Sequence, residues 1–169
     1  REDIRKMHKL QEQYLFLARH NIHSAEELVG TIASLTDKKK ETSAEKSRIY
    51  KARERSMELF TAADEMENLK PAEQSYRLGD IFFEDEHRKW VALEQELQAQ
   101  GYSLEEVQAL RKHYKNEYSQ VCAKEKVVFR ELNMGKAILN SIIPDSISDG
   151  KKTEYNREII RDRKEQPVR

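Results

Sequence analysis

The amino-acid sequence predicts an all-α protein, an elongated antiparallel coiled-coil-like helical bundle or hairpin, and three observations carry that expectation. Apolar residues recur at steps of three and four along most of the chain, the spacing of one helix face. Two boxes of the form Ser-x-x-Glu, at Ser24–Glu27 and Ser103–Glu106, mark helix starts. Helix breakers are scarce, with five glycines and three prolines in 169 residues.

The first predicted helix covers residues 3–20, with Ile4, Met7, Leu10, Tyr14 and Leu17 as its apolar stripe. Tyr14 lies in the apolar patch Tyr14-Leu15-Phe16-Leu17 and is expected to bury against another helix. Basic Arg19 and His20 suit the negative pole of the helix, and Asn21 suits a left-handed stop. A second helix begins at Ser24, whose hydroxyl can accept from the amide of Glu27 while Glu27 reaches back to the amide of Ser24. Ile22 before the box and Leu28 inside it are placed as a hydrophobic staple.

From Ser24 to Lys70 no proline occurs, and Gly30 is the one glycine. The stripe runs Leu28, Ile32, Leu35, then resumes at Ile49, Ala52, Leu59, Ala63 and Met66. The stretch 36–43 between them holds no apolar residue. Either one continuous helix of about 65–70 Å spans it, or two helices meet near 36–43; the absence of Gly and Pro there favours continuity. Pro71 can start a helix but not extend one, so a short helix is expected from Pro71 to about Leu78. Gly79 then stops the chain and Asp80 caps the next helix, which carries Phe83, Trp90, Leu93 and Leu97 and ends at Gly101.

Ser103 opens the longest seam: Leu104, Val107, Arg111, Tyr114, Tyr118, Val121, Glu125, Val128, Leu132, Gly135, Leu139 and Ile142. Arg111, Glu125 and Gly135 are poor seam residues, which suits pairing within the chain better than a parallel zipper. Pro144 is expected to close this helix. The organisation is thus an N-terminal helix and turn over 1–23, a long-helix domain over 24–143, and a polar tail over 144–169. In that tail Tyr155, Ile159 and Ile160 could line a short helix.

Charged residues make up 37% of the chain, with 31 basic balancing 31 acidic, so any nucleic-acid contact has to be a local patch. Mean hydropathy is −0.92 and no apolar run approaches the about 20 residues of a membrane span. The lone Cys122 cannot form an internal disulfide, which fits a reducing, cytoplasmic setting. The chain starts at Arg1 inside a helical pattern and reads as a piece of a larger protein, although a processed mature chain would begin the same way.

Few residues combine into chemistry. His20 and His23 straddle a predicted helix break without the paired spacing of a zinc site. His8, His87 and His113 are isolated on helices. Cys122, beside the seam residue Val121, is expected to be part-buried, and its sequence neighbours Lys124, Glu125 and Lys126 supply no evident base. Glu84, Asp85, Glu86 and His87 occupy adjacent helix positions that fan around the axis and cannot converge on one ion. No phosphate loop, nucleophile elbow or dinucleotide fingerprint occurs. No catalytic residue, metal ligand or cofactor is therefore assigned. The candidate sites are basic clusters that would contact DNA phosphates: Lys38, Lys39 and Lys40, and in the tail Lys151, Lys152, Arg161 and Arg163. Their alternative reading is a solvated helix face.

The segment from Tyr14 through Leu28, and a later one from Tyr102-Ser103-Leu104-Glu105-Glu106-Val107 to Lys136-Ala137-Ile138-Leu139, resemble the region downstream of the nuclease domain in mobilisation relaxases. These are relaxases of Gram-positive plasmids and integrative conjugative elements, and the resemblance covers about residues 10–143. It implies a parent protein that nicks one DNA strand with a tyrosine, aided by a histidine cluster holding a divalent metal. Two of those histidines flank one hydrophobic residue in the family, and no His-x-His occurs here. None of the family's catalytic residues therefore carries over. What the resemblance implies for this chain is a non-catalytic accessory module that contacts DNA or a protein of the conjugation machinery. The competing expectation is a coiled-coil scaffold or self-associating module unrelated to DNA.

Overall fold

The computed structural model describes residues 1–142. Pro144, the expected short helix at Tyr155, Ile159 and Ile160, and the tail residues Lys151, Lys152, Arg161 and Arg163 lie outside the described residues. The fold is all-α. Five α-helices follow one another: α1 (Glu2–Arg19), α2 (Ala25–Arg55), α3 (Met57–Arg77), α4 (Glu84–Ala99) and α5 (Leu104–Ile142), with a 3-10 turn over Ile81–Phe83 ahead of α4. Among the described residues there is no strand.

The punctuation follows the expected chemistry. Asn21 takes a left-handed φ of 52°, and Gly79 and Gly101 take φ of 101° and 83° at the ends of α3 and α4. At Ser103 the box is complete: the Glu106 amide donates to Ser103 Oγ at 3.2 Å and the Ser103 amide donates to Glu106 Oε2 at 2.8 Å. At Ser24 one half differs. The Glu27 amide donates to Ser24 Oγ, but the Glu27 carboxylate accepts from the amide of His23, one residue before the expected Ser24. Asp80, expected to cap the helix that carries Phe83 and Trp90, instead caps the 3-10 turn ahead of it by accepting from the Phe82 amide, and Phe83 lies in that turn, before α4.

Two further expectations need correction. The helix is continuous through 36–43, yet it is interrupted at Ser56, so 24–70 is not one helix. The Ser56 hydroxyl donates to the Ala52 carbonyl and its amide donates to Arg53 rather than to Ala52. A serine that bonds back to residue i−4 competes with the helix ladder in this way. Pro71, expected to begin a helix, instead lies inside α3. It supplies no amide for the Glu67 carbonyl. The turn beyond it is held by Glu73, which is buried and tied to α4.

By contact the chain divides into two units. The first comprises Arg1–Ala44 with the stretch from Ala123 onward, and its core joins Phe16, Ile22, Leu28, Ile32, Leu132 and Leu139. Ile22 and Leu28 both enter this core, as the staple requires. Phe16 is fully buried, whereas Tyr14, expected inside, is 69% exposed. The reason is phase. Helix α1 is apolar on two faces, and the core takes the one carrying Phe16.

Gly135 explains why that face wins. A Cβ added there would meet Ile32 Cγ1 at 3.0 Å and Phe16 Cζ at 3.2 Å. A residue that is poor for a zipper seam is therefore the one that lets α1 and α2 side chains reach the α5 backbone. Gly135→Leu is expected to destabilise this unit by about 1–3 kcal/mol through overpacking. The check is a lower urea midpoint at unchanged slope.

The second unit, Glu45–Cys122, is centred on the α3–α4 helical hairpin closed by the start of α5. Its core contains Phe60, Ala63, Met66, Trp90, Leu97 and Val107. Within both units the α5 seam is used: Val107, Val121, Leu132, Gly135 and Leu139 are buried, and the seam positions from Leu104 to Val128 are otherwise half-buried. Ile142, at the helix end, is 54% exposed.

Candidate interaction surfaces

The charged residues inside each unit are fasteners. In the first unit Glu131 of α5 accepts from Arg19 Nη2 at 2.9 Å and pairs with His20 Nε2 at 2.7 Å, joining the end of α1 to α5. The His20 ring also packs on Phe16 at 4.6 Å. In the second unit Arg111 spans from α5 to α3. Its two terminal nitrogens reach Asp64 at 2.6 and 2.9 Å, one of them also donates to the Phe60 carbonyl at 2.8 Å, and the guanidinium sits 5.1 Å from the Phe60 ring centre. The hydrogen bond from Arg111 is the main reason the Asp64 carboxyl lies below its ordinary range, and Arg111 is raised in return. An arginine at a seam position is satisfied by a partner that sequence spacing could not indicate, 47 residues away.

Among the described residues Glu73 is the most buried charged one, 3% exposed. Its carboxylate accepts from Arg77 Nε at 2.6 Å and pairs with His87 Nδ1 at 2.7 Å, while the His87 ring stacks on Tyr76 at 4.2 Å. Burial pushes the Glu73 carboxyl up, but hydrogen bonds from His87 and Arg77, with their charges, outweigh it and hold the group below its ordinary value. His87, isolated in sequence, thus adds a polar link between α3 and α4 to their shared apolar core. Among the described residues no three of His, Cys, Asp and Glu come together as a metal site. Cys122 is half-buried.

The predicted DNA residues are only partly brought together. Lys38 and Lys40 are exposed, and Lys40 lies 4.0 Å from Asp37. Lys39 is half-buried with its ammonium 5.0 Å from the Phe129 ring centre. Successive helix positions are about 100° apart, so the three fan around α2 instead of sharing a face. A basic pair outside these clusters, Arg53 and Lys115, lines a cavity of about 510 Å³ beside Arg111 and Asp64.

The largest departures from an ordinary soluble surface are apolar. At the turn between α3 and α4, Leu78, Ile81 and Phe82 are 90%, 82% and 81% exposed. Phe82 meets Phe83 edge-on at 5.2 Å. The turn is rigidly made: Gly79 holds its left-handed conformation, Asp80 caps, and the Leu78 and Gly79 amides donate back into α3. Three large apolar side chains are thereby presented together on a fixed support. A second exposed stripe runs along α1 through Ile4, Met7, Leu10 and Tyr14. Exposed apolar patches mark interaction sites where they exceed the size usual for a monomer.

No protein family, curated protein or solved structure matches this chain.

No helix among the described residues is long and apolar enough to cross a membrane. The apolar turn at Leu78–Phe82 is flanked by Asp80, Glu84 and Asp85 as well as Arg77 and Arg88, a mixed rim suited to a protein groove.

Proposed function

We propose that this chain is a non-catalytic helical accessory module of a mobilisation relaxase, which docks a protein of the transfer machinery. The observation that carries the docking reading is the Leu78, Ile81 and Phe82 cluster, each more than four-fifths exposed on a capped turn. Apolar anchors held on a rigid support lose little conformational freedom on binding, which is where affinity is won. The ion pairs of Glu73 with Arg77 and His87, and of Asp64 with Arg111, fasten the helices that carry that turn. The relaxase assignment rests on the resemblance over about residues 10–143. DNA contact is the weaker arm, because Lys38, Lys39 and Lys40 point in different directions.

The buried α5 seam bears on the scaffold alternative. Val107, Val121, Leu132 and Leu139 are consumed inside the chain, so a zipper built from that helix would have to break both cores. The test of the family assignment is the reading frame upstream of Arg1. A domain bearing a nucleophilic tyrosine and two histidines flanking one hydrophobic residue supports it; any other domain there overturns it.

A further inference from the structure

A groove of about 560 Å³ lies between α1 and α5 in the first unit. On α5, Lys126, Arg130, Asn133 and Ala137 recur at steps of three and four, with Phe129 beside Arg130, so one face of that helix lines it. The floor is apolar: Phe129 is 48% exposed, Ala137 is exposed next to it, and Met134 is rooted in the core beneath. The rim is basic. Lys126 and Arg130 stand on α5 and Lys9 on α1, against Glu12 as the one carboxylate that lines the groove. Among the described residues none of these three cations is held in an ion pair, whereas Arg19, Arg77 and Arg111 each hold a carboxylate. Lys39 adds a fourth positive charge, its ammonium 5.0 Å from the Phe129 ring centre. In a chain of 31 basic and 31 acidic residues this is a local excess.

We infer that this groove binds an acidic amphipathic helix of a partner protein. The apolar side chains of that helix lie on Phe129, Met134 and Ala137, and its carboxylates meet Lys9, Lys126 and Arg130. Charge complementarity selects the occupant. Unpaired cations around an apolar floor match a helix whose apolar stripe is flanked by Asp and Glu. From Lys126 to Ala137 helix α5 runs about 16 Å, which sets the occupant at about three turns. A single nucleic-acid strand would use the same cations, but its bases need open aromatic faces on which to stack. The groove has one ring, Lys39 sits over that ring, and Met134 and Ala137 offer no stacking surface.

Both walls are already in place. Helix α1 is anchored through Phe16 and through Arg19 and His20 on Glu131, and Met134 packs against the core. The partner helix therefore meets a preformed groove, which keeps the ordering cost on this side small. The rim cations are exposed, so binding is expected to weaken as salt rises. The Leu78–Phe82 turn belongs to the other unit, so the groove is occupied whether or not that turn docks a transfer protein.

The test is fluorescence anisotropy of labelled synthetic helices of about 14 residues, titrated with the full chain. The first probe carries leucines at steps of three and four flanked by glutamates. A second replaces the glutamates with lysines, and a third keeps the glutamates but replaces the leucines with glutamines. The first is expected to bind at least about tenfold more tightly than either of the others. Phe129→Ala, and the double variant Lys126→Glu, Arg130→Glu, should each weaken it at least about tenfold. All three sites are exposed, so circular dichroism should be unchanged. The double variant should also gain affinity for the lysine probe, a rescue that a damaged fold cannot give. No binding of the acidic probe, equal binding of the leucine-free probe, or no gain for the lysine probe overturns the inference. So does an oligothymidine that binds more tightly than the acidic probe and is lost on Phe129→Ala, which would make the groove a single-strand site. Ile81→Asp with Phe82→Asp should leave the affinity of the acidic probe unchanged; its loss would place the peptide at the turn and likewise overturn it.

Discussion

Phe16→Ala is expected to cost about 3–5 kcal/mol, the range for removing a fully buried phenylalanine. The ring is wholly shielded, packs against Ile32 and the Gly135 backbone, and tilts against His20 at 4.6 Å. Two features make collapse of the resulting cavity difficult. Gly135 has no side chain to move into the space, and α1 is held at its end by Arg19 and His20 on Glu131, so it cannot slide to fill it. Urea unfolding followed by circular dichroism checks the prediction, with a lower midpoint as the readout. Because Phe16 and Gly135 are in contact, Phe16→Ala combined with Gly135→Leu should be less destabilising than the sum of the two changes. Simple additivity would show that the ring does not rest on that glycine.

Glu73→Ala is expected to cost about 2–3 kcal/mol near neutral pH. The carboxylate accepts two charge-assisted hydrogen bonds, each contributing about 1.5–3 kcal/mol where fully buried. The total is smaller because Arg77 and His87 are themselves 66% and 29% exposed and can recover water. The pH dependence has a definite sign. Glu73 titrates lower in the folded chain than in the unfolded one. Its contribution is therefore fully present above the unfolded value, about 4.3, and is lost as pH falls through the lower folded value. Denaturant midpoints for wild type and Glu73→Ala should differ most at neutral pH and converge in the acid range below that window. A gap that stays constant from neutral to strongly acid pH would mean that the ionised carboxylate is not what ties α3 to α4.

How much of this was legible in the sequence depends on the range of the cause. Local causes read well. The Ser103 box and the stops at Asn21, Gly79 and Gly101 are each decided within a few residues, and the structure places them as spacing predicts, whereas Asp80 caps a 3-10 turn instead of the helix that follows it. The α5 seam was legible because its period is sustained. Causes that depend on a distant partner did not read. Which of the two apolar faces of α1 is buried is settled by Gly135, more than a hundred residues away, so Tyr14 was placed on the wrong side. Arg111 stands out in the seam, but its partner Asp64 and the pairing of Glu73 with His87 arise only through packing; the Glu73–Arg77 pair is the one local link among them. The break at Ser56 coincides with a serine bonding back to Ala52, but Thr31, Thr36, Thr42 and Thr61 make the same bond inside continuous helix, so no local letter marks it. Pro71 survives inside α3 because tertiary contacts at Glu73 outweigh its local preference.

The candidate surfaces divide in the same way. The lysine run 38–40 was conspicuous in sequence, yet helix geometry spreads it and Phe129 takes up Lys39. The Leu78, Ile81 and Phe82 cluster was unremarkable as letters around a predicted turn. Its meaning comes from exposure, which needs the packed hairpin to be known.

The proposed docking through the α3–α4 turn is tested most directly in a mobilisation relaxase that carries this chain. Strand nicking at the transfer origin and the frequency of transfer would be measured together for the double variant Ile81→Asp, Phe82→Asp. The prediction is unchanged nicking, an unchanged circular dichroism spectrum, and transfer reduced by at least about tenfold, the drop that a loss of about 1.4 kcal/mol of docking affinity gives where transfer scales with the docked fraction. Transfer at the wild-type frequency, or nicking lost in step with transfer, would contradict it.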